Sequence, residues 1–303
     1  MYKKGLLIYN GKSGQTTGMK KINEVAGILS EGIEEFTLIH TKKSGDAERI
    51  AKERGKDYDI VILLGGDGTV HEGVNGLATL DNPPIIGILP GGTSNDFAKG
   101  INMPQKLNNA AKTIIEGKTS KIDIGKVNDR YFTNFFGVGL VTKISEGTDK
   151  KTKDLMGRVS YYISAIRNMR DEDTFEFTLE TNESTIEDEA AMVIAINGNF
   201  VGSIEVPKKD ISMEDKLLDI FIIYKAGVSL ILKYLTQKET LEENIENEQI
   251  KHIQASEFKL TTKEDLKVDT DGEVYMKTPA KVSLKEKNLT FIVGNTQEQG
   301  LLS

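Results

Sequence analysis

Two glycine-rich segments, Gly65-Gly66-Asp67-Gly68-Thr69-Val70-His71-Glu72 and Pro90-Gly91-Gly92-Thr93-Ser94-Asn95-Asp96, each set an aspartate among residues small enough to leave backbone N–H groups open to a ligand. Main-chain amides gathered in this way attract anions, phosphate above all. An aspartate beside phosphate is repulsive unless a cation lies between them. Mg²⁺ suits that place, because it takes oxygen ligands, keeps much of its water and bridges to phosphate oxygens. Neither segment contains lysine or arginine. Phosphate charge must therefore be handled by backbone N–H, threonine hydroxyls and metal. One glycine cluster alone is equally an ordinary turn. Two of them, each after a strand and each with an aspartate, point to a polyphosphate site.

The elements that must hold these segments follow from hydrophobic periodicity. Residues 59–64 form a nearly continuous apolar run that empties into Gly65-Gly66, as expected of a strand buried on both faces of a parallel sheet, and the glycines are read as a tight turn. Val70, Val74 and Leu77 then recur at helical spacing. Residues 84–89 repeat the pattern before Gly91-Gly92, so both loops should meet at the carboxyl edge of one sheet, where open α/β folds bind ligands. Up to about residue 121, strands alternate with amphipathic helices such as 22–29, the cadence of a three-layer α/β domain with a parallel sheet. Beyond residue 122 the cadence changes. Residues 175–179, 257–262 and 281–284 alternate, while 190–196 and 218–224 are apolar strand runs, the pattern of a mainly antiparallel β-sandwich. Helical insertions are expected at 159–169 and 229–235, and an acidic solvated stretch at 239–248.

The two glycine segments resemble the catalytic-domain motifs of the soluble diacylglycerol kinase-like lipid kinases, the superfamily that includes the sphingosine kinases, and the similarity runs along nearly the whole chain. Gly65–Thr69 alone is also similar to NAD kinases and to the phosphate loop of phosphofructokinases; Pro90–Asp96 is much narrower. Asn10-Gly11-Lys12-Ser13-Gly14 resembles the family's nucleotide loop, with Gly11 in place of the usual proline. Thr41, followed by Gly45-Asp46-Ala47, matches the segment that ends the second strand near the nucleotide. Residues 134–139 resemble the block that begins the second domain, and Gly157 with Tyr161-Tyr162 is similar to the Gram-positive bacterial diacylglycerol kinases. Two departures stand out: His71 where asparagine is commoner, and Lys216 in place of a glycine after Asp215.

The resemblance implies an NAD kinase/phosphofructokinase-like nucleotide-binding domain over 1–122, to which 289–303 returns, and a lipid-substrate domain over 123–288. It implies ATP contacts from Asn10, Gly11, Lys12, Ser13, Gly14, Thr41, Gly66, Asp67, Gly68, Thr69, Val70, His71, Glu72 and Thr93, with Asp67 and Asp96 organising water and Mg²⁺. Glu273 is implied to be the general base that takes the proton from a lipid hydroxyl, and Asp271 to orient it or share its role. Asp215, with the carbonyls of Ser212 and Leu217, matches the family's structural Mg²⁺ site. Without the family, Asp271-Gly272 is simply a hairpin turn and residues 210–217 a polar turn before a strand. The expected reaction is transfer of the ATP γ-phosphoryl group to a lipid hydroxyl, foremost that of diacylglycerol, giving phosphatidic acid. A soluble-metabolite kinase of the NAD kinase type and a non-catalytic nucleotide-binding module are the rival readings.

Composition bounds these readings. A chain of 303 residues, 38% hydrophobic and without cysteine, can build two cores but no disulfide or thiolate zinc site. No run approaches the roughly 20 apolar residues of a spanning helix, and the first strand is too short for a signal segment. The expectation is a cytoplasmic protein that reaches a membrane lipid transiently at the bilayer surface; a homodimer is compatible with it. A formal net charge of −7 argues against nucleic acid and against attraction of the whole molecule to an anionic membrane. Lys150, Lys151, Lys153 and Arg158, beside Leu155 and Met156, either face headgroups or form a solvated loop. His40, His71 and His252 lack metal-ligand spacing, and neither Ser13 nor Ser94 has a hydrolase-triad partner.

Overall fold

A strand as apolar as Ile60–Gly65 is stable only where both of its faces are covered, and all six of its residues are buried. A computed structural model describes this chain over residues 1–10, 15–142, 174–206, 208, 210–237, 249–285 and 289–295, with backbone alone for 15–19 and 234–237. It forms two units, Met1–Ile122 with Lys287–Ser303, and Asp123–Glu286.

In the first unit β1 (Tyr2–Asn10), α1 (Gln15–Ser30), β2 (Ile33–Thr41), α2 (Asp46–Arg54), β3 (Ile60–Gly65), α3 (Asp67–Leu77), β4 (Ile85–Pro90), α4 (Asp96–Gly100), α5 (Leu107–Glu116) and β5 (Thr119–Ile122) follow in turn. Among the described residues the sheet runs β2-β1-β3-β4, then the returning strand Leu289–Ile292, then β5. All neighbours are parallel except the last pair. Helix α1 buries Ile22, Val25 and Leu29 at helical spacing, and α3 buries Val70, Val74 and Leu77. The α2–α3 and α1–α5 pairs supply the helical layers that the buried strands require. Because β2 and β3 lie on opposite sides of β1, the sheet reverses its direction of growth there. The carboxyl ends of β1 and β3, at Asn10 and Gly65, thus flank the crevice where such sheets take ligands.

The second unit contains β6 (Gly125–Val127), β7 (Arg130–Phe132), β8 (Phe135–Gly139), β9 (Phe175–Thr181), β10 (Thr185–Ala190), β11 (Met192–Ile196), β12 (Phe200–Val201), β13 (Ile204–Glu205), β14 (Leu218–Ile223), α6 (Val228–Gln237), β15 (Ile250–Ala255), β16 (Glu257–Thr262), β17 (Lys267–Thr270), β18 (Glu273–Lys277) and β19 (Ala280–Leu284). One sheet runs β10-β9-β16-β19-β6-β7 and the other β15-β14-β11-β8-β17-β18, both antiparallel. Phe132, Phe177, Leu179 and Phe258 of the first meet Phe136, Val193, Ile220 and Ile222 of the second in a shared core, so the unit is a β-sandwich. The outer face of the second sheet carries Phe135, Ile194, Ile196, Phe221 and Ile223, which pack with Val228 of α6.

The apolar run at 190–196 is not one strand. Ala190 ends β10 in one sheet and Met192 opens β11 in the other, with Ala191 at the crossing. An apolar stretch buried on both sides of such a corner has no polar residue to mark it. The insertion expected at 159–169, the acidic stretch at 239–248, the cluster Lys150, Lys151, Lys153 and Arg158, and Gly157 with Tyr161-Tyr162 lie outside the described residues.

Candidate active site

Strands β3 and β4 run in parallel register, Leu64 beside Leu89 and Gly65 beside Pro90, so the two glycine loops leave the sheet side by side. The Gly91 N–H donates to the Gly65 carbonyl at 2.7 Å. Beyond that bond the backbones touch. A Cβ at Gly92 would lie 2.4 Å from the Gly66 Cα, and one at Gly91 would lie 3.2 Å from the Gly65 Cα. None of these four glycines has a positive φ. The tight turn expected of them is therefore replaced by a different need, the close approach of two main chains. Gly92→Ala should destabilise the first unit by about 1–3 kcal/mol, because the added methyl meets backbone that cannot repack. A fall in the urea midpoint at unchanged slope would register it.

Asp67, the first residue of α3, reaches across to the second loop. Its Oδ2 accepts the Asn95 N–H at 3.0 Å and its Oδ1 accepts the Asp96 N–H at 2.6 Å. Asn95 makes the turn, with φ 51, a conformation its short amide tolerates, and its Oδ1 takes the Gly92 N–H at 2.8 Å. Asp96 is buried, 3.9 Å from the Lys99 ammonium. Asp67 and Asp96 are thus joined directly.

The run 66–72 divides once α3 begins. Val70 and His71 fall on its buried side, each 3% exposed, and Thr69 is buried against Gly65, whereas Gly68 is exposed. Val70 and His71 thus form part of the core of the unit. Glu72 reaches a neighbouring helix. Its carboxylate accepts the Ser44 hydroxyl at 3.0 Å and the Gly45 and Ala47 N–H groups at 2.9 and 3.2 Å, so it clasps the N-terminus of α2. Unpaired donors at a helix start attract a carboxylate. Thr41 ends β2 beside Asn10 of β1 and is buried, while Asn10 and Thr93 are exposed. Gly11, Lys12, Ser13 and Gly14 lie outside the described residues. After Thr41, the N–H groups of Lys42 and Lys43 hold the Asp46 carboxyl below its ordinary range, and they keep it ionised.

In the second unit Asp271-Gly272 forms a two-residue hairpin between β17 and β18, with φ 56 and φ 89, the geometry for which Asp-Gly is favoured. The chain passes from β7 in one sheet to β8 in the other at Thr133-Asn134, and Asp271 pins that corner. Its Oδ2 accepts the Thr133 N–H and hydroxyl at 2.7 and 3.0 Å, and its Oδ1 accepts the Asn134 and Phe135 N–H groups at 2.8 and 3.1 Å. These four donors hold the Asp271 carboxylate at the corner. Buried Asp269 fixes the same turn from the other side through the Gly272 N–H, at 2.8 Å. Glu273, the first residue of β18, is exposed at the end of this braced turn.

Residues 4–127 match the model of the diacylglycerol kinase catalytic domain, and residues 136–293 match that of the YegS C-terminal NAD kinase beta sandwich-like domain. The chain belongs to the diacylglycerol kinase-like lipid kinase family. A Staphylococcus carnosus protein named "Putative lipid kinase" is 32% identical over 302 residues, covering 98% of this chain and 99% of that one. A Staphylococcus aureus (strain Newman) protein of the same name is 32% identical over 299 residues, covering 97% and 98%. Among solved structures, one described as "Crystal structure of a putative diacylglycerol kinase from Bacillus anthracis str. Sterne" superposes with a TM-score of 0.87 at 34% identity, covering 97% of this chain and 96% of that chain. A second Bacillus anthracis structure, described as that of "a diacylglycerol kinases", gives 0.84 at 34% identity, covering 97% of both chains.

Within this lipid kinase fold the Asp215 turn takes a defined form. Its Oδ1 accepts the Leu217 N–H at 2.9 Å, Ser212 receives the Glu214 N–H, and Asp215 itself is exposed. Lys216 adopts φ 64, which explains the glycine usual there, and its N–H donates to buried Asp123 at 2.7 Å. Lys216→Gly should stabilise the second unit by about 1 kcal/mol by relieving a left-handed lysine. A calorimetric midpoint above that of the unaltered protein would bear this out. Among the described residues no group of three or more His, Asp or Glu side chains closes around a metal.

Sequence reasoning passed over four groups. Asp123 was visible only as one acid in an apolar segment. Asp219, equally hidden in the apolar β14, receives His252 at 2.7 Å, Gln254 at 3.1 Å and Lys208 at 3.3 Å, so the His252 ring lies against a buried carboxylate. Asp269 braces the hairpin. Lys21 projects from α1 to the Gly91 carbonyl at 2.5 Å, a contact across 70 residues that no local pattern announces. An open groove of about 570 Å³ lies between β2 and α2, lined by Leu38, His40, Lys42, Lys43 and Arg54 among others, and the glycine loops take no part in it. No helix among the described residues is long and apolar enough to cross a membrane.

Proposed function

We propose that this protein is an ATP-dependent, Mg²⁺-requiring lipid kinase that converts diacylglycerol to phosphatidic acid, working in the cytoplasm and at the membrane surface. The observation that carries the proposal is the double contact of Asp67 with the Asn95 and Asp96 N–H groups, which fuses two phosphate-type loops into one acidic cradle. The first unit holds the nucleotide, with its phosphates on the main-chain amides around Gly66–Gly68 and Gly91–Thr93 and with Asn10, the 11–14 segment and Thr41 along its length. In the second unit Glu273 removes the proton from the lipid hydroxyl. The hydroxyl oxygen then attacks the γ-phosphorus, the bond to the β–γ bridging oxygen breaks, and ADP leaves.

The donor set fits Mg²⁺. Asp67 offers a carboxylate oxygen pair at the meeting of the two loops, bonded to the backbone N–H of Asp96, and an ion held largely by water and phosphate asks for few protein oxygens. When bound there it supplies charge neutralisation between the acids and the phosphates. Asp215 with the carbonyls of Ser212 and Leu217 is proposed as a second, structural Mg²⁺ site, one exposed carboxylate and two carbonyls being sufficient for a hydrated ion.

Incubation with γ-labelled ATP, Mg²⁺ and diacylglycerol in mixed micelles should give labelled phosphatidic acid. Label on NAD and on no lipid would select the soluble-metabolite reading. Binding of ATP without transfer to any member of a lipid panel would select a non-catalytic module.

A further inference from the structure

We propose that Lys21 is the cationic phosphate ligand that neither glycine loop contains, an inference that rests on the kinase reading above. The loops bring two carboxylates, Asp67 and Asp96, to the place where a polyphosphate must sit, and between them they hold no lysine or arginine. Lys21 supplies a positive charge from outside both. On α1 it stands next to the buried stripe of Ile22, Val25 and Leu29, which fixes the rotation of the helix and keeps Lys21 at the margin of that stripe. From there its ammonium donates to the Gly91 carbonyl at 2.5 Å.

Gly91 is the residue whose N–H is bonded to Gly65, so the ammonium stands at the junction of the two loops. The contact engages one of three N–H donors and is made to a neutral acceptor, which leaves the charge of Lys21 unmatched at that atom. A lysine in a phosphoryl-transfer site acts as a compact charge on a flexible stem, able to turn from a carbonyl to a phosphate oxygen without moving the backbone. In P-loop enzymes that lysine belongs to the loop itself. Here the apposed backbones crowd any side chain at 91 and 92, and Lys21 brings a charge to the same place from a neighbouring helix.

Titration calorimetry with ATP and with adenosine, on the unaltered full chain and on Lys21→Met, Lys21→Gln and Lys21→Arg, tests this. Lys21→Met and Lys21→Gln should each weaken ATP by about tenfold or more, the usual scale of a lost charged hydrogen bond, and leave adenosine unchanged. Lys21→Arg should stay within about threefold of the unaltered protein, and so should Lys20→Met at the exposed neighbouring position. Gln can keep the bond to the Gly91 carbonyl while removing the charge, so it decides the matter if the Met variant does not fold. ATP affinity unchanged in Lys21→Gln would overturn the proposal and leave Lys21 as a tether of α1. An unaltered protein that binds no adenine nucleotide would remove the kinase reading and this inference together.

Discussion

Glu273→Gln is expected to lower lipid phosphorylation by about 10²–10⁴-fold, the range of a lost general base, while ATP affinity and thermal midpoint stay where they are. The expectation follows from the division of labour in the hairpin. Asp271, at φ 56, is fully engaged by Thr133, Asn134 and Phe135, and Asp269 holds the Gly272 N–H, so turn geometry does not depend on Glu273. Glutamine keeps the size and polarity of an exposed side chain and removes only its ability to take a proton. Asp271→Asn would behave in the opposite way. It would replace an accepting oxygen by an amide that faces N–H donors, and it would loosen the corner as well as the chemistry. A Glu273→Gln variant that turns over at the normal rate would remove Glu273 from the mechanism.

The second large effect is expected at Asp67. In Asp67→Asn one of the two accepting oxygens becomes an NH₂ group, so either the Asn95 or the Asp96 N–H loses its partner, at a cost of about 1–3 kcal/mol. The same change removes the negative charge at the meeting of the two loops. Activity should fall by at least about 10²-fold, the scale on which a preorganised charge-stabilising group acts. Unlike Glu273→Gln, this variant should also melt earlier and bind MgATP more weakly. Parallel urea melts and steady-state assays of the two variants separate a residue that only accepts a proton from one that builds the cradle. Equal stability of Asp67→Asn and the unaltered protein would contradict the bridging role.

The parallel sheet was legible because strands covered on both faces are nearly continuous apolar runs, as β3 and β4 are. The two loops were legible because glycine clusters directly after such runs are few. What glycine does there was not. Positive φ and backbone apposition call for the same residue, and only the approach of Gly92 to Gly66 distinguishes them. The run 66–72 looked like one ligand-binding segment, yet a helix turns about 100° per residue, so Val70 and His71 went to the core and Glu72 to the start of α2. The Asp-Gly hairpin is a local signal and could be read. Its bracing by residues more than 130 positions earlier could not. Lys21 and Asp123 share that character, since each takes its meaning from a partner supplied by the tertiary fold.

Amide hydrogen exchange of the full chain, with and without MgATP, tests the joined loops most directly. Binding should slow exchange in peptides spanning 65–69 and 91–96 together. Unchanged exchange in both under saturating nucleotide, or protection confined to the groove between β2 and α2, would contradict a phosphate cradle built from the two apposed backbones.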